Sequence, residues 1–329
     1  MRTIGKFIGR LLLTFVALIA AMWTFGPYED ATLTPAPGAT AVDGDLEAYF
    51  ANVEAAYDDI TPGVEKRVIW AGDAGARTDW SILYVHGFSA TSEEIRPVPD
   101  QVAAALDANL IYTRLQGHGR SGAAMAEGSV QGWVKDLAEG LAAARLAGDR
   151  VLVMSTSTGG TLVAATAQNI DMMRDVAGLV FISPNFGLNN PLAKLLSWPA
   201  ARYWLPPLAG AERSFEPRNA EHGTYWTTQY PSVAVMPMAA LIDATVAMDH
   251  SKQTIPALFW FAEADTVVRP DITADIAAAW GGPTQVVNPV MGPQDDPQSH
   301  VIAGRIMSPG QTDDAVAGIT EWVQSQVER

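Results

Sequence analysis

Three residues of this chain could do covalent chemistry together: Ser157, Asp265 and His300. A serine hydroxyl is a poor nucleophile until a base takes its proton. A neutral imidazole near pH 7 is the suitable base, and then the acid for the leaving group. A carboxylate on the other ring nitrogen fixes the tautomer and stabilises the imidazolium. The chemistry open to such a set is acyl transfer through an acyl-enzyme. The chain has no cysteine, so thiolate catalysis, disulfides and cysteine-based metal sites are excluded.

Ser157 lies in residues 151–160, VLVMSTSTGG. Apolar residues run into very small ones, and a helical pattern follows at Leu162, Val163, Thr166 and Ile170. This predicts a buried strand, a sharp turn and a helix. Such a turn lifts the serine hydroxyl above the end of a sheet. The Thr158 N–H then sits at a helix N-terminus, where unpaired donors and the positive dipole end meet developing negative charge. The pentapeptide 155–159 differs from the G-x-S-x-G elbow by Ser155 at its first position, a residue still small enough for a crowded turn. Taken alone, the stretch also reads as a serine-rich turn in an ordinary βα unit.

The base and the acid follow by elimination. Of five histidines, His86 and His118 fall in glycine turns ahead of the serine, and His222 and His250 fall in a segment rich in Pro, Asn, Trp and Tyr. Only His300 lies in a loop after the last strand pattern. Asp265 follows the strong strand pattern of residues 255–262, with Glu263 its nearest rival. Asp295 and Asp296 read as solvated loop charges. Ser89 and Ser155 stand away from the strand–helix apex and are weaker nucleophile candidates.

The elements that must carry these residues alternate. Strand patterns cover residues 65–70, 80–85, 109–115, 151–156, 176–183, 255–262 and 284–289, and helical patterns cover 93–108, 130–147, the segment after Ser157, 271–280 and 313–327. Strands alternating with helices imply an α/β fold with a mostly parallel sheet. Between about 184 and 249 the rhythm breaks. Short helices are expected there, for example over 239–247, and no strand pattern is convincing. Its aromatic and apolar side chains suit either a pocket wall or simple packing onto the body.

The motifs HGFSAT (86–91), LQGHG (115–119), STSTGG (155–160), EADTVV (263–268) and Ser299-His300, in this order, resemble the α/β-hydrolase superfamily. Within it they are similar to the branch of monoacylglycerol lipases, lysophospholipases and bacterial carboxylesterases. The resemblance spans residues 64–186 and 251–329. It implies a central sheet flanked by helices with an inserted helical cap, and ester hydrolysis by Ser157, Asp265 and His300. It also implies an oxyanion hole made by the backbone N–H groups of Phe88 and Thr158. The domain boundaries expected are a signal anchor or signal peptide over 1–27 and a linker with an amphipathic helix over 28–63. The hydrolase core is then expected over 64–186 and 251–329, with the cap over 187–250. The cap carries no motif that matches the family, so substrate identity does not transfer. Thioesterase, amidase, acyltransferase or C–C hydrolase chemistry stays open for the same triad, as does a non-catalytic binding role. Aspartate-nucleophile chemistry is disfavoured, because Ser157 stands at that position.

The 329 residues carry a formal net charge of −15 and a pI near 4.6, which argues against nucleic acid as a partner. Nothing in the sequence demands a metal or organic cofactor. The expected partner is a small-molecule ester or lipid, with the membrane a second partner through the N-terminus. There Arg2, Lys6 and Arg10 precede an apolar run over 11–25, and Glu29 and Asp30 follow it. This orients the N-terminus to the cytoplasm and the body to the exported, periplasmic face. An uncleaved anchor is favoured over a cleaved signal peptide. Residues 39–41 have the small-x-small form of a cleavage site but lie far downstream of the apolar run.

Overall fold

The structure, a computed structural model, describes residues 2–38, 40–42 and 44–327. Ala39, the first residue of the small-x-small triplet, lies outside the described residues, as does the side chain of Arg2. In chain order the helices are α1 (Arg2–Phe25), α2 (Leu46–Glu54), α3 (Val98–Ala105), α4 (Val130–Ala147), α5 (Thr158–Thr166), α6 (Ala201–Ala209), α7 (Ala220–Tyr225), α8 (Val235–Val246), α9 (Pro270–Ala279) and α10 (Thr312–Trp322). The strands are β1 (Arg67–Ile69), β2 (Thr78–Val85), β3 (Asn109–Tyr112), β4 (Gly148–Thr156), β5 (Val176–Ile182), β6 (Glu212–Ser214), β7 (Gln229–Pro231), β8 (Ala257–Trp260) and β9 (Thr284–Val287).

Seven strands make one sheet in the order β1-β3-β2-β4-β5-β8-β9. Every pair is parallel except β1 against β3. The inner strands read as continuous apolar runs because helices cover both their faces. Alternate residues of β2 sort between two cores. Leu83 and Val85 pack with α4, α5 and α8, while Ile82 and Tyr84 pack with α3 and α10. This is the fold that the sequence predicts, and it sets the C-terminal ends of β2, β4, β8 and β9 along one edge.

Several elements are shorter than expected. β8 ends at Trp260 rather than Ala262, so five residues rather than three carry the chain to Asp265. α3 starts late, at Val98, as Pro97 and Pro99 in its pattern imply. Neither can donate to a carbonyl four residues back, so both must fall in or before the first turn. The helix ends at Ala105 rather than Ala108. Within residues 187–250, the segment expected as the cap, β6 and β7 form an antiparallel pair that the sequence pattern does not show. Each strand has three residues, polar or partly exposed, with no apolar alternation to read.

The α2 helix is amphipathic, as expected. Asp45 caps it by accepting the Ala48 N–H at 3.0 Å, and Leu46 and Phe50 enter the core. Glu54 at its end pairs with buried Arg114 at 2.7 Å, and Lys66 sits between Asp136 and Glu139. The first pair ties α2 to the segment after β3, and the Lys66 pairs tie the chain just before β1 to α4. Before it, α1 lies exposed from Ile4 to Phe25, a 22-residue stretch containing an 18-residue window with a mean hydropathy of 1.9. By length and composition that stretch is long enough to cross a membrane. It meets the body at the cap: Trp23 packs edge-on to Trp198, the Ala200 N–H donates to the Pro27 carbonyl at 2.7 Å, and Arg202 pairs with Glu29.

Candidate active site

β4 runs directly into the turn that predicts the nucleophile, and α5 begins one residue later. Ser157 between them has φ 49° and ψ −117°, a backbone conformation costly for any residue with a Cβ. The neighbours force the turn to be tight. A Cβ on Gly159 would lie 2.4 Å from the Val85 carbonyl oxygen and 2.6 Å from that of His86, so only glycine fits. Three more serines with positive φ surround the strand ends: Ser89, Ser183 and Ser299. Backbone strain thus gathers where the candidate chemistry lies.

The three sequence candidates meet. His300 Nε2 lies 3.0 Å from the Ser157 hydroxyl, and His300 Nδ1 lies 2.7 Å from Asp265 Oδ2. A carboxylate only accepts, so Nδ1–H donates to Asp265 and Nε2 is left to accept the serine proton. Asp265 is itself oriented, its Oδ1 accepting the Val267 and Val268 N–H groups at 2.8 and 2.9 Å. The rival Glu263 is exposed. Burial is the largest influence on the His300 pKa and lowers it, but the Asp265 carboxylate, joined by Glu94 and Asp296, together outweighs burial, and the pKa ends above the ordinary histidine value.

Asp296 corrects the expectation of solvated loop charges. Both Asp295 and Asp296 are buried. Asp296 accepts the N–H groups of Gln298, His300 and Val301 at 3.0–3.2 Å, and pairs with Arg218 of the cap. Asp295 accepts from Gly292, Gly310 and Gln311. The two acids build the loop that presents His300. A loop carboxylate readily takes backbone donors a few residues on, but the sequence alone does not separate such an acid from a solvated one.

The two candidate oxyanion donors lie on either side of Ser157. Thr158 is the first residue of α5, where an N–H has no partner within the helix. Phe88 follows β2, and its N–H has no hydrogen-bond partner among the described residues. The His86 ring braces that turn, with Nδ1 2.8 Å from the Gly87 carbonyl and Nε2 accepting the Leu115 N–H at 3.1 Å. Burial drives its pKa down to about 3, so it stays neutral and structural. His118 packs against Phe88 and Trp133 and is buried, in keeping with a role in the turn.

Ser155, the departure from the elbow glycine, is fully buried and donates to the Val180 carbonyl of β5 at 3.1 Å. The hydroxyl is satisfied and points away from the triad. Ser155→Gly is therefore expected to stay active, with kcat within about threefold of wild type, because one hydrogen bond of about 1 kcal/mol is lost at a distance from the reacting atoms. Steady-state kinetics of the folded variant decide this, and a folded, inactive protein would give Ser155 a role in the chemistry.

Ser157 and His300 open into a cavity of about 500 Å³. Its apolar wall comes from the cap: Leu188, Leu196, Phe215, Trp226, Val235 and Met238. Arg213, Glu216 and Arg218 line a polar side of the same space. The Thr227 N–H donates to the Ser89 carbonyl at 2.7 Å, which ties the cap to the loop beside Phe88.

A family model described as serine aminopeptidase, S33, matches residues 76–287. The chain belongs to this hydrolase family. The chain is 25% identical over 195 residues to a thermostable monoacylglycerol lipase of Bacillus sp. (strain H-257), an alignment covering 59% of this chain and 74% of the relative. A solved structure described with the metagenome-derived lipolytic enzymes LipS and LipT aligns with a TM-score of 0.64 at 20% identity, over 80% of this chain and 99% of the other. A soluble variant of the monoglyceride lipase of Saccharomyces cerevisiae, in complex with a substrate analogue, aligns with a TM-score of 0.59 at 12% identity, over 80% and 91%. These structures share the fold of this chain. The family and the bacterial relative agree with the α/β-hydrolase resemblance of the motifs.

Proposed function

We propose that the protein is a membrane-anchored serine hydrolase that cleaves carboxylic esters with an apolar acyl group, through an acyl-enzyme on Ser157. The observation that carries this reading is the Ser157–His300–Asp265 line, set on a strained turn and opening into a cavity with an apolar wall. His300 takes the Ser157 proton as the hydroxyl attacks the ester carbonyl, and the Phe88 and Thr158 N–H groups receive the oxyanion. The imidazolium then gives its proton to the leaving alcohol. Water, activated by the same histidine, releases the acid. In this reading residues 64–186 and 251–329 are the catalytic core and 187–250 the cap. Residues 1–27 are the anchor, and 28–63 join anchor to core.

The anchored form, with the body on the exported face, draws support from the junction. Residues beyond α1 are bound to the cap through Pro27 and Glu29, and exposed Trp198 and Tyr203 lie at that same place. Aromatic side chains there suit a membrane–water boundary. A monoacylglycerol or lysophospholipid fits such an address. The bacterial relative's name, a monoacylglycerol lipase, points the same way.

The test is hydrolysis of p-nitrophenyl esters over acyl lengths from two to sixteen carbons by the full chain in mild detergent. The expected result is release that rises with length to a medium- or long-chain optimum, each added buried CH₂ contributing about 0.8 kcal/mol until the cavity is filled. A flat or falling series would sink the apolar-acyl reading. Release from p-nitroanilides but from no ester would favour amide hydrolysis instead.

A further inference from the structure

Glu94 is a carboxyl group that the chemistry above does not use. It is only 2% exposed, yet it lines the same cavity as Ser157. Its Oε2 accepts the Gly87 N–H at 2.7 Å and the Tyr84 hydroxyl at 3.1 Å. The Tyr84 hydroxyl in turn lies 3.0 Å from the Thr156 hydroxyl. Thr156 immediately precedes the nucleophile, and Gly87 immediately precedes Phe88. A single buried chain of hydrogen bonds, Thr156–Tyr84–Glu94–Gly87, therefore links the turn after β4 to the turn after β2. These are the two turns that supply the candidate oxyanion donors. The packing around Gly87 is equally close. A Cβ there would lie 2.7 Å from Glu94 Oε1 and 3.0 Å from Ser157 Cβ, so the Gly87 peptide is held between the carboxyl and the nucleophile.

We propose that Glu94 is a positioning residue for the oxyanion site: by taking the Gly87 N–H it fixes the plane of the 86–88 turn and leaves the Phe88 N–H free for the oxyanion beside Ser157. The proposal rests on the acyl-transfer reading above. Burying a carboxyl group without a cationic partner is costly. Its retention here is explained if the turn needs an acceptor that no backbone group supplies. A second consequence follows from charge. Burial lifts the Glu94 pKa to about 7, with the Gly87 N–H and His300 pulling it down. Glu94 therefore gains its charge near neutral pH. That charge faces His300, which also faces Asp265 and Asp296. Asp296 is paired with Arg218 and lies near His222. An anion at Glu94 holds the imidazolium in place, so removing it lowers the pH at which His300 becomes a base.

The experiment compares Glu94→Ala, Glu94→Gln and Tyr84→Phe with the wild type, as full chains in detergent. Glu94→Ala is expected to lose about 10²-fold in kcat with KM nearly unchanged, the scale of a displaced catalytic group. The rate at which a fluorophosphonate probe labels Ser157, which also builds charge on an oxygen, should fall by the same factor. Glu94→Gln keeps an acceptor for Gly87 and should keep most of kcat. The acid limb of its kcat/KM profile should move to lower pH, which a merely space-filling role would not produce. Tyr84→Phe should lie between the wild type and Glu94→Ala. The proposal is overturned if folded Glu94→Ala matches wild type in kcat and labelling, or if the acid limb of Glu94→Gln stays in place. If Glu94→Ala fails to fold, the limb of Glu94→Gln and the labelling rate of Tyr84→Phe decide. A wild type that labels normally but cleaves no ester refutes the substrate reading alone, and the labelling rates still judge Glu94.

Discussion

Ser157→Ala should lower kcat by about 10⁵- to 10⁶-fold, the loss seen when a triad nucleophile is removed from a working constellation. The fold should survive. The substitution deletes one oxygen at a pocket wall, leaves the backbone of the turn unchanged and opens almost no cavity. Ser157 is 6% exposed and its hydroxyl has His300 as its partner, so the histidine then faces the cavity and no buried donor is stranded. The residual rate should be insensitive to a second change. Ser157→Ala with His300→Ala should be no slower than Ser157→Ala alone, because the two side chains act as one unit and their losses do not add. Measuring kcat for both variants beside far-UV circular dichroism and a thermal melt decides the assignment. A pure Ser157→Ala protein that keeps more than about a hundredth of wild-type turnover would remove Ser157 from the mechanism.

The parts of this site that the sequence made legible are those with a local cause. The turn at Ser157 shows in the change from branched apolar residues to small ones, because a buried strand and a tight turn each restrict side-chain size. His300 and Asp265 show because each follows a strand pattern on the expected edge. Their convergence could be placed because a parallel sheet puts all such strand ends on one side. What was not legible depends on long-range partners. Asp296 and Glu94 are acids in loops, and their spacing resembles that of any surface charge. Only the folded chain shows that one gathers three backbone donors at His300 and the other closes a chain of hydrogen bonds to Thr156. The β6–β7 pair was hidden for a related reason, since strands of three mostly polar residues carry no period of their own. The cap as a whole was visible only as a break in rhythm, and its inward apolar residues could not be told from those that pack it down.

Asp265→Asn should cost about 10⁴-fold in kcat, and the local geometry says why the asparagine is worse than a simple loss of charge. Oδ1 of Asp265 already receives the Val267 and Val268 N–H groups. An asparagine must place its carbonyl oxygen there, because an amide NH₂ pointed at two backbone donors would leave all of them unpaired. Its NH₂ then faces His300 Nδ1 and donates to it. The imidazole is forced to carry its proton on Nε2, where it can no longer accept from Ser157. Asp265→Ala lacks that donor, so it should retain more kcat than Asp265→Asn while being less stable, by about 1–3 kcal/mol, because the two backbone N–H groups lose their acceptor. The pH profile gives an independent check. In the wild type Asp265 raises the His300 pKa against burial, so kcat/KM should fall as pH drops through a value above the ordinary 6.5. Without that carboxylate, only Glu94 and Asp296 oppose burial, and the acid limb should move to lower pH in both variants. Stopped-assay rates from pH 5 to 9 measure the limb. An Asp265→Asn enzyme within tenfold of wild type, with its limb unmoved, would mean that another acid orients His300.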